Sequence, residues 1–285
     1  MTPAHWTKLA KRVARAVDEG FDGVVIAHGT DTMGYTAAAL SFALAGVPIP
    51  VLLVGSQRSS DRPSSDAPLN LVAAVSAAAA GGFSGVYVAM HMGESDDKVA
   101  FHRGTRVRKN HTSRRDAFVS VGVPLAAVYG RSGPEYVSEG LPPRGGAFRA
   151  RTRFDGRVSL LKFYPSLPGA VVRGARRLGV RAMIVEGTGL GHVSREVAKE
   201  LGLFIKGGGL VFMTSQCING RVDMNVYDTG RDLLHLGVVP LDDMLPETAL
   251  VKAMWVLGTG ASGEKARALM TTNVAGETTS RTFPG

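Results

Sequence analysis

Short apolar runs rich in valine and leucine alternate along this chain with stretches of helical periodicity, and that alternation confines it to a narrow set of folds. Strand signals at 24–27, 51–54 and 86–90 are separated by a helical stretch after Thr32 and another from about 69 to 80. A Gly-, Pro- and Arg-rich interval follows. The rhythm then returns, with strand signals at 158–163, 182–185 and 210–213 and helical ones near 170–178 and after His192. Strands joined through helices pair in parallel and carry helices on both faces. The expected architecture is α/β: two domains of mainly parallel sheet flanked by helices, over 1–133 and 157–285, with a linker over 134–156 and the second domain the smaller. Trp6, Leu9, Val13 and Val17 recur at helical spacing behind Thr2 and Pro3, which predicts an N-terminal amphipathic helix. The segments "PETALVKAMWVLG" and "GEKARALM" read as closing helices.

Composition removes several function classes. At 285 residues and 45% apolar content the chain is able to build a sizeable core. Its only cysteine, Cys217, has no internal disulfide partner, and a chain of this length without disulfides fits a reducing, cytoplasmic compartment. The apolar stretches are broken by proline or dominated by alanine, so no membrane-spanning helix is expected. One cysteine and no HExxH pattern argue against a bound metal. There is no GxxxxGK[ST] loop, and "GTGLG" at 187–191 lacks the third glycine of a dinucleotide loop. The net charge is +9, and its most concentrated block is "HRGTRVRKNHTSRR", with Arg103, Arg106, Arg108, Lys109, Arg114 and Arg115. That block has no interleaved aromatics on which bases would stack, so it does not read as an RNA-reading module.

Ligands of open parallel sheets sit beyond the carboxyl ends of the strands. "HGTDTM" lies at such an end: Gly29 permits a tight turn, Thr30 and Thr32 bring hydroxyls, and Asp31 brings a carboxylate suited to an ammonium group. Capping of the next helix by Thr30, Asp31 or Thr32 is the alternative reading. Two further long polar loops, "GSQRSSDRPSSDAPLN" and "RGTRVRKNHTSRRDAF", follow the next two strands, and three such loops in succession build one pocket. In it Thr30, Asp31 and Lys109 have the residue types for a hydroxyl activated by a lysine that a carboxylate holds.

These loops, together with "GTGLGH", "GRVDMNVYDTGRDLLHLGV", "DMLPETALVKAMWVLG" and "TTNVAGE", resemble the asparaginase/glutaminase family over nearly the whole chain. The serine-rich "RSSDRPSSDA" and "NVYDTGRDLL" are similar to its archaeal glutamyl-tRNA(Gln) amidotransferase branch. The resemblance implies amide hydrolysis by a threonine enzyme, with Thr30, Asp31 and Lys109 catalytic. Asp31 would bind the substrate α-amino group, and Gly29, Ser56 and Gln57 would line the substrate site. It further implies ammonia delivery to a kinase/tRNA-binding partner subunit that uses ATP and Mg²⁺ on tRNA(Gln), with no cofactor in this chain itself. A homodimer core is expected, with Ser215, Gln216 and Asn219 as cross-subunit candidates. Family members carry another threonine in a "GGT" segment on a first strand, and this branch adds an N-terminal β domain; neither is found here, so the chain reads as starting at an internal methionine and as having little activity alone. The other functional readings are a free cytosolic L-asparaginase acting on asparagine rather than glutamine, and a non-catalytic scaffold of a tRNA complex.

Overall fold

The computed structural model describes residues 1–281. The chain divides between Thr152 and Arg153 into two compact units.

In the first unit, α1 (Pro3–Asp18) leads to β1 (Val24–Ala27), a 3₁₀ turn (Thr30–Thr32), α2 (Met33–Ala43), β2 (Pro50–Val54), α3 (Ala67–Ala80) and β3 (Gly85–His91). Then come β4 (Lys98–Arg103), β5 (Val107–Lys109), β6 (Phe118–Ser120), β7 (Ala127–Gly130) and β8 (Gly133–Val137). The main sheet has the order β1-β2-β3-β4-β7-β8, while β5 and β6 pair as a separate hairpin. Its first three strands are parallel and every later pairing is antiparallel, so the sheet is mixed rather than mainly parallel. The reason is connection length. β4, β7 and β8 are not reached through crossover helices, and strands joined without one pair antiparallel.

The central strand β2, "PVLLV", is buried at every position, as a parallel strand covered on both faces must be. On one face lies α3, whose alanines Ala73, Ala74 and Ala77 pack in one cluster with Leu52, Phe101 and Tyr129. The helix α2 is buried almost all round. It receives α1, whose buried stripe is Trp6, Ala10, Val13 and Ala16. That stripe is rotated from the one read in the sequence: Leu9 and Val17 are only half-buried, because the small Ala10 and Ala16 turn toward the core in their place. The Trp6 indole Nε1 donates to Thr36 Oγ1 on α2 at 3.1 Å.

Residues 134–156 are not all linker. β8 occupies the first of them, paired antiparallel with β7 across a register shift at Val128/Tyr129. It is an edge strand with Pro134 and mostly exposed side chains, so it lacks the apolar alternation by which a strand is recognised.

The second unit runs β9 (Val158–Lys162), α4 (Ala170–Arg177), β10 (Ala182–Gly187), α5 (Arg195–Lys206), β11 (Leu210–Ser215), α6 (Asp228–His235), β12 (Val239–Pro240), α7 (Pro246–Gly258) and α8 (Gly263–Thr271). Its sheet is wholly parallel, in the order β12-β11-β10-β9. Val185, Val211 and Met213 of the sheet pack in one core with Val172 of α4 and with Val197 and Leu201 of α5. A buried ion pair pins the C-terminal segment: Lys252 Nζ lies 2.5 Å from Glu277 Oε1, with both side chains inaccessible to solvent. The same ammonium donates to the Met270 carbonyl at 2.8 Å and to that of Thr272 at 2.6 Å, and Glu277 accepts from the amides of Val274 and Ala275. Burial pulls Lys252 below its ordinary pKa, and Glu277 opposes that shift. No helix among the described residues is long and apolar enough to cross a membrane.

Removing one partner of such a pair leaves the other buried and uncompensated, at a cost of about 3–5 kcal/mol. Urea unfolding of Glu277→Ala should show a loss of that order in the second unit. The double change Lys252→Met, Glu277→Leu, which removes both charges, should regain most of it. Wild-type stability in the single variant would contradict this account.

Candidate active site

The sequence of β1, "VVIA", extends the chain to His28, and the backbone then turns through Gly29 into the 3₁₀ turn that carries Thr30 and Asp31. Gly29 has an ordinary φ of −67°, so the turn does not require glycine; a Cβ there would meet nothing within 4 Å, which leaves open space beside Thr30. The capping alternative finds no support, since α2 is entered at Thr32 without a side-chain cap. Instead, Lys109 at the end of β5 reaches this turn. Its Nζ donates to Thr30 Oγ1 at 3.0 Å and to Asp31 Oδ1 at 2.7 Å. The sequence-predicted trio is therefore one hydrogen-bonded cluster, assembled from residues 79 positions apart.

The two charged members differ in environment. The Lys109 side chain is 16% exposed and that of Asp31 is 90% exposed, so the lysine is sheltered while the carboxylate faces solvent. The hydrogen bond from Lys109, and then its charge, holds the Asp31 carboxyl below its ordinary range. Because Lys109 supplies the hydrogen to Thr30 Oγ1, the Thr30 hydroxyl proton remains available for another acceptor.

The second loop borders this cluster. A Cβ on Gly55 would lie 2.5 Å from the His28 carbonyl and 3.3 Å from Thr30 Cγ2, so only glycine allows the end of β2 to approach the turn this closely. Behind Gly55 is a network that sequence reasoning missed. The buried Asp66 carboxylate accepts from the backbone amides of Gln57 (3.0 Å) and Arg58 (2.9 Å) and so shapes the start of the loop. Asn70 Nδ2 donates to the Gly55 carbonyl at 3.0 Å and to Asp66 at 3.2 Å. That fixes the amide orientation and leaves Oδ1 to accept from His91 Nδ1 at 2.6 Å. His91 Nε2 faces Asp96 Oδ1 at 3.0 Å, and Arg115 binds the same Asp96 oxygen at 2.8 Å. The hydrogen bond from His91 is the leading cause that keeps the Asp96 carboxyl below its ordinary range. The third polar loop, read from the sequence as following β3, follows β4 instead and carries the β5–β6 hairpin, so His91 ends a strand that leads into none of the three loops.

Of the remaining predicted site residues, Ser56 and Gln57 lie on this loop just after β2. The Gln57 backbone amide is held by Asp66, but its side-chain Nε2 is buried without a hydrogen-bond partner, a donor directed at nothing in the protein. Ser215, Gln216 and Asn219 belong to the second unit, at the end of β11 and just after it. Ser215 Oγ donates to the Gly189 carbonyl at 2.7 Å, and Gln216 Nε2 donates to the carbonyls of Phe163 and Glu186, so the Gln216 amide hydrogens are already bound within the unit. Asn219 is exposed. The "GTGLG" turn closes on itself, with Gly191 and His192 amides both bonded to the Thr188 carbonyl and thus turned away from any pyrophosphate. No group of three or more metal-binding side chains occurs among the described residues.

The basic block is not a free cationic surface. Arg106 is buried and donates to the Val121 carbonyl, Arg114 pairs with Asp116, and Arg115 with Asp96.

Residues 1–139 match the family described as "Asparaginase, N-terminal", and residues 157–270 match the "Glutaminase/Asparaginase C-terminal domain". The D-type subunit of glutamyl-tRNA(Gln) amidotransferase from Metallosphaera sedula is 51% identical over 97% of this chain, and that from Sulfurisphaera tokodaii is 49% identical over all of it. The chain spans 64% of the length of each of these relatives. Among solved structures, the thermostable L-asparaginase from Thermococcus kodakarensis superposes with a TM-score of 0.89 at 35% identity, covering 99% of this chain and 83% of that one. L-asparaginase I from Vibrio cholerae gives a TM-score of 0.85 at 32% identity, over 98% and 82% of the respective chains.

Two outcomes follow from the geometry. In Lys109→Met the Asp31 carboxyl should rise toward the ordinary aspartate value of about 3.9, as read by carboxyl NMR titration; an unchanged titration would mean that Lys109 does not set it. In His91→Leu, hydrogen exchange at the Gln57 and Arg58 amides should quicken up to about tenfold, the effect of one lost hydrogen bond of about 1.4 kcal/mol. Unaltered exchange there would disconnect His91 from the loop.

Proposed function

The chain belongs to the asparaginase/glutaminase family, and on that premise we propose that it is the amide-hydrolysing part of a glutaminase subunit. That subunit supplies ammonia for the conversion of Glu-tRNA(Gln) to Gln-tRNA(Gln). The observation that carries the reading is the single ammonium of Lys109 bonded to both Thr30 Oγ1 and Asp31 Oδ1. The near-50% identity to the amidotransferase sequences supports the tRNA-dependent assignment.

The chemistry follows from these positions. Asp31, exposed and ionised, takes the substrate α-ammonium group. Lys109, bonded to both Thr30 and Asp31, is the group within reach to relay the proton of the nucleophile. A hydroxyl nucleophile then attacks the side-chain amide carbon, its proton passes by way of Lys109 to the departing nitrogen, and ammonia leaves. Water resolves the resulting ester to the acid. The backbone at Ser56 and the Gln57 side chain would hold the amide oxygen or the substrate carboxylate. Ammonia passes to a partner subunit that binds tRNA and uses ATP and Mg²⁺. This chain needs no cofactor of its own, works in the cytoplasm, and forms a homodimer in which Asn219 approaches the neighbour's site.

The family resemblance implies a further, nucleophilic threonine carried on an additional strand. The free edge of β1 would admit such a strand. β1 is only half-buried, and beside it runs an apolar cleft of about 390 Å³ lined by Leu9, Val13, Phe21 and β1 itself. A parallel strand laid there would end next to Thr30.

A free L-asparaginase is the second reading, favoured by the two solved asparaginases that superpose on the chain. Glutaminase activity that rises on adding the tRNA-binding partner and Glu-tRNA separates the two. In the complete polypeptide, Lys109→Met should lower ammonia release from glutamine by about 10²–10⁴-fold. Near-normal turnover would remove Lys109 from the mechanism.

A further inference from the structure

Arg106, Lys109, Arg114 and Arg115 of the first unit's basic block are bound by internal partners, but the second unit carries its positive charge differently. Helices α4 and α5 together hold six basic residues, Arg173, Arg176, Arg177, Arg195, Lys199 and Lys206, and two acidic ones, Glu196 and Glu200. The rest of the unit, from Arg153 onward, has ten basic and ten acidic residues, so its whole surplus sits on these two helices.

Spacing turns that surplus into a surface. Arg173, Arg176 and Arg177 fall at i, i+3 and i+4 on α4, while Arg195, Lys199 and Lys206 fall on one stripe of α5. All six are exposed. Both acids are already occupied: Glu200 binds Arg173 at 2.5 Å, and Glu196 accepts from the Gly169 amide at 2.7 Å. Among the described residues none of the other five cations has an ion-pair partner. An open cleft of about 410 Å³ runs between the helices, lined by Arg173, Arg176, Arg177 and Leu203. A Cβ on Gly207 would lie 3.0 Å from Arg176 Nη2, which lays that guanidinium across the end of α5. Unneutralised cations held this closely repel one another, and a polyanion relieves the repulsion.

We propose that the α4–α5 face binds the phosphodiester backbone of an RNA. Arginine forks match phosphate oxygens in pairs. The face has no exposed aromatic ring for base stacking, since Phe204 is 3% exposed, so contact is with the backbone and independent of sequence. That the RNA is a tRNA rests on the functional reading above; the surface itself does not depend on amide chemistry.

The test is fluorescence anisotropy of a labelled tRNA transcript with the chain, between about 50 and about 200 mM salt. Wild type should bind with a steep salt dependence. The triple variant Arg176→Gln, Arg177→Gln, Lys206→Gln should lower the log–log salt slope by about 2 to 3 and weaken binding at least about tenfold at low salt. The variant Lys8→Gln, Lys11→Gln, Arg15→Gln removes the same number of cations from α1 and should lose far less. The double change Arg195→Gln, Lys199→Gln shares no residue with the first triple variant and should also lower the salt slope, by about 1 to 2. Equal losses in the two triple variants, or salt-insensitive binding by wild type, would overturn the proposal. So would displacement of the RNA by poly-L-glutamate at lower concentration, which would assign the face to an acidic protein. NMR titration of the Asp31 carboxyl with L-glutamate is read in parallel: a saturable response without RNA binding by wild type fails this inference alone, and RNA binding without that response fails only the functional reading.

Discussion

The first unit is organised around one bridging cation. Lys109 stands on a two-strand hairpin outside the main sheet, and its ammonium reaches a turn at the end of β1 that would otherwise present an exposed carboxylate and an unattached hydroxyl. Surface ion pairs contribute little to stability in general, so the value of this one lies in placement. It fixes where Thr30 points and holds the Asp31 carboxyl below its ordinary range. The remaining features of the site serve to make that placement reproducible.

That work falls to buried groups rather than to the loops themselves. Gly55 lets the end of β2 press against His28 and Thr30, and Asn70 holds the Gly55 carbonyl from α3. Asp66 ties down the next two amides, and His91 closes the chain of bonds to Asp96 and Arg115. A long polar loop is thereby kept in one conformation chiefly by the buried Asp66, Asn70 and His91, with the exposed Asp96 at the end of the network. Buried polar networks of this kind specify geometry because any unsatisfied member is costly. The second unit has a different design, a wholly parallel sheet whose tail is held by Lys252 and Glu277 and whose charge is carried on one pair of helices.

Much of this is legible in the sequence. The apolar runs locate β1, β2, β3, β9, β10 and β11 to within a residue or two, because such strands are continuous hydrophobic segments bounded by polar loops, while the two-residue parallel strand β12 leaves no such run. Thr30, Asp31 and Lys109 are legible as residue types on loops, and the family resemblance joins them; no local pattern reports a contact across 79 positions. What stays hidden has physical causes. β8 is an exposed edge strand without alternation. Lys109 itself reads as a loop residue because a three-residue strand leaves no periodic trace. The His91 and Asn70 network joins single polar residues on separate elements, and its members resemble ordinary strand-end and helix residues until the fold brings them together. The basic block reads as more cationic than it is for the same reason, since its partners Asp96, Asp116 and the Val121 carbonyl are fixed only by tertiary structure.

The central claim is that Asp31 and Lys109 form the substrate-binding half of an amide-hydrolysing site, and the most direct measurement is NMR titration of the Asp31 carboxyl and the Lys109 side chain with the reaction products L-glutamate and L-aspartate. A product ammonium competing for Asp31 must disturb both signals in a saturable way, with the larger effect from L-glutamate if the chain serves glutamine hydrolysis. Signals that stay in place at saturating product, in a chain that remains folded, would contradict the account.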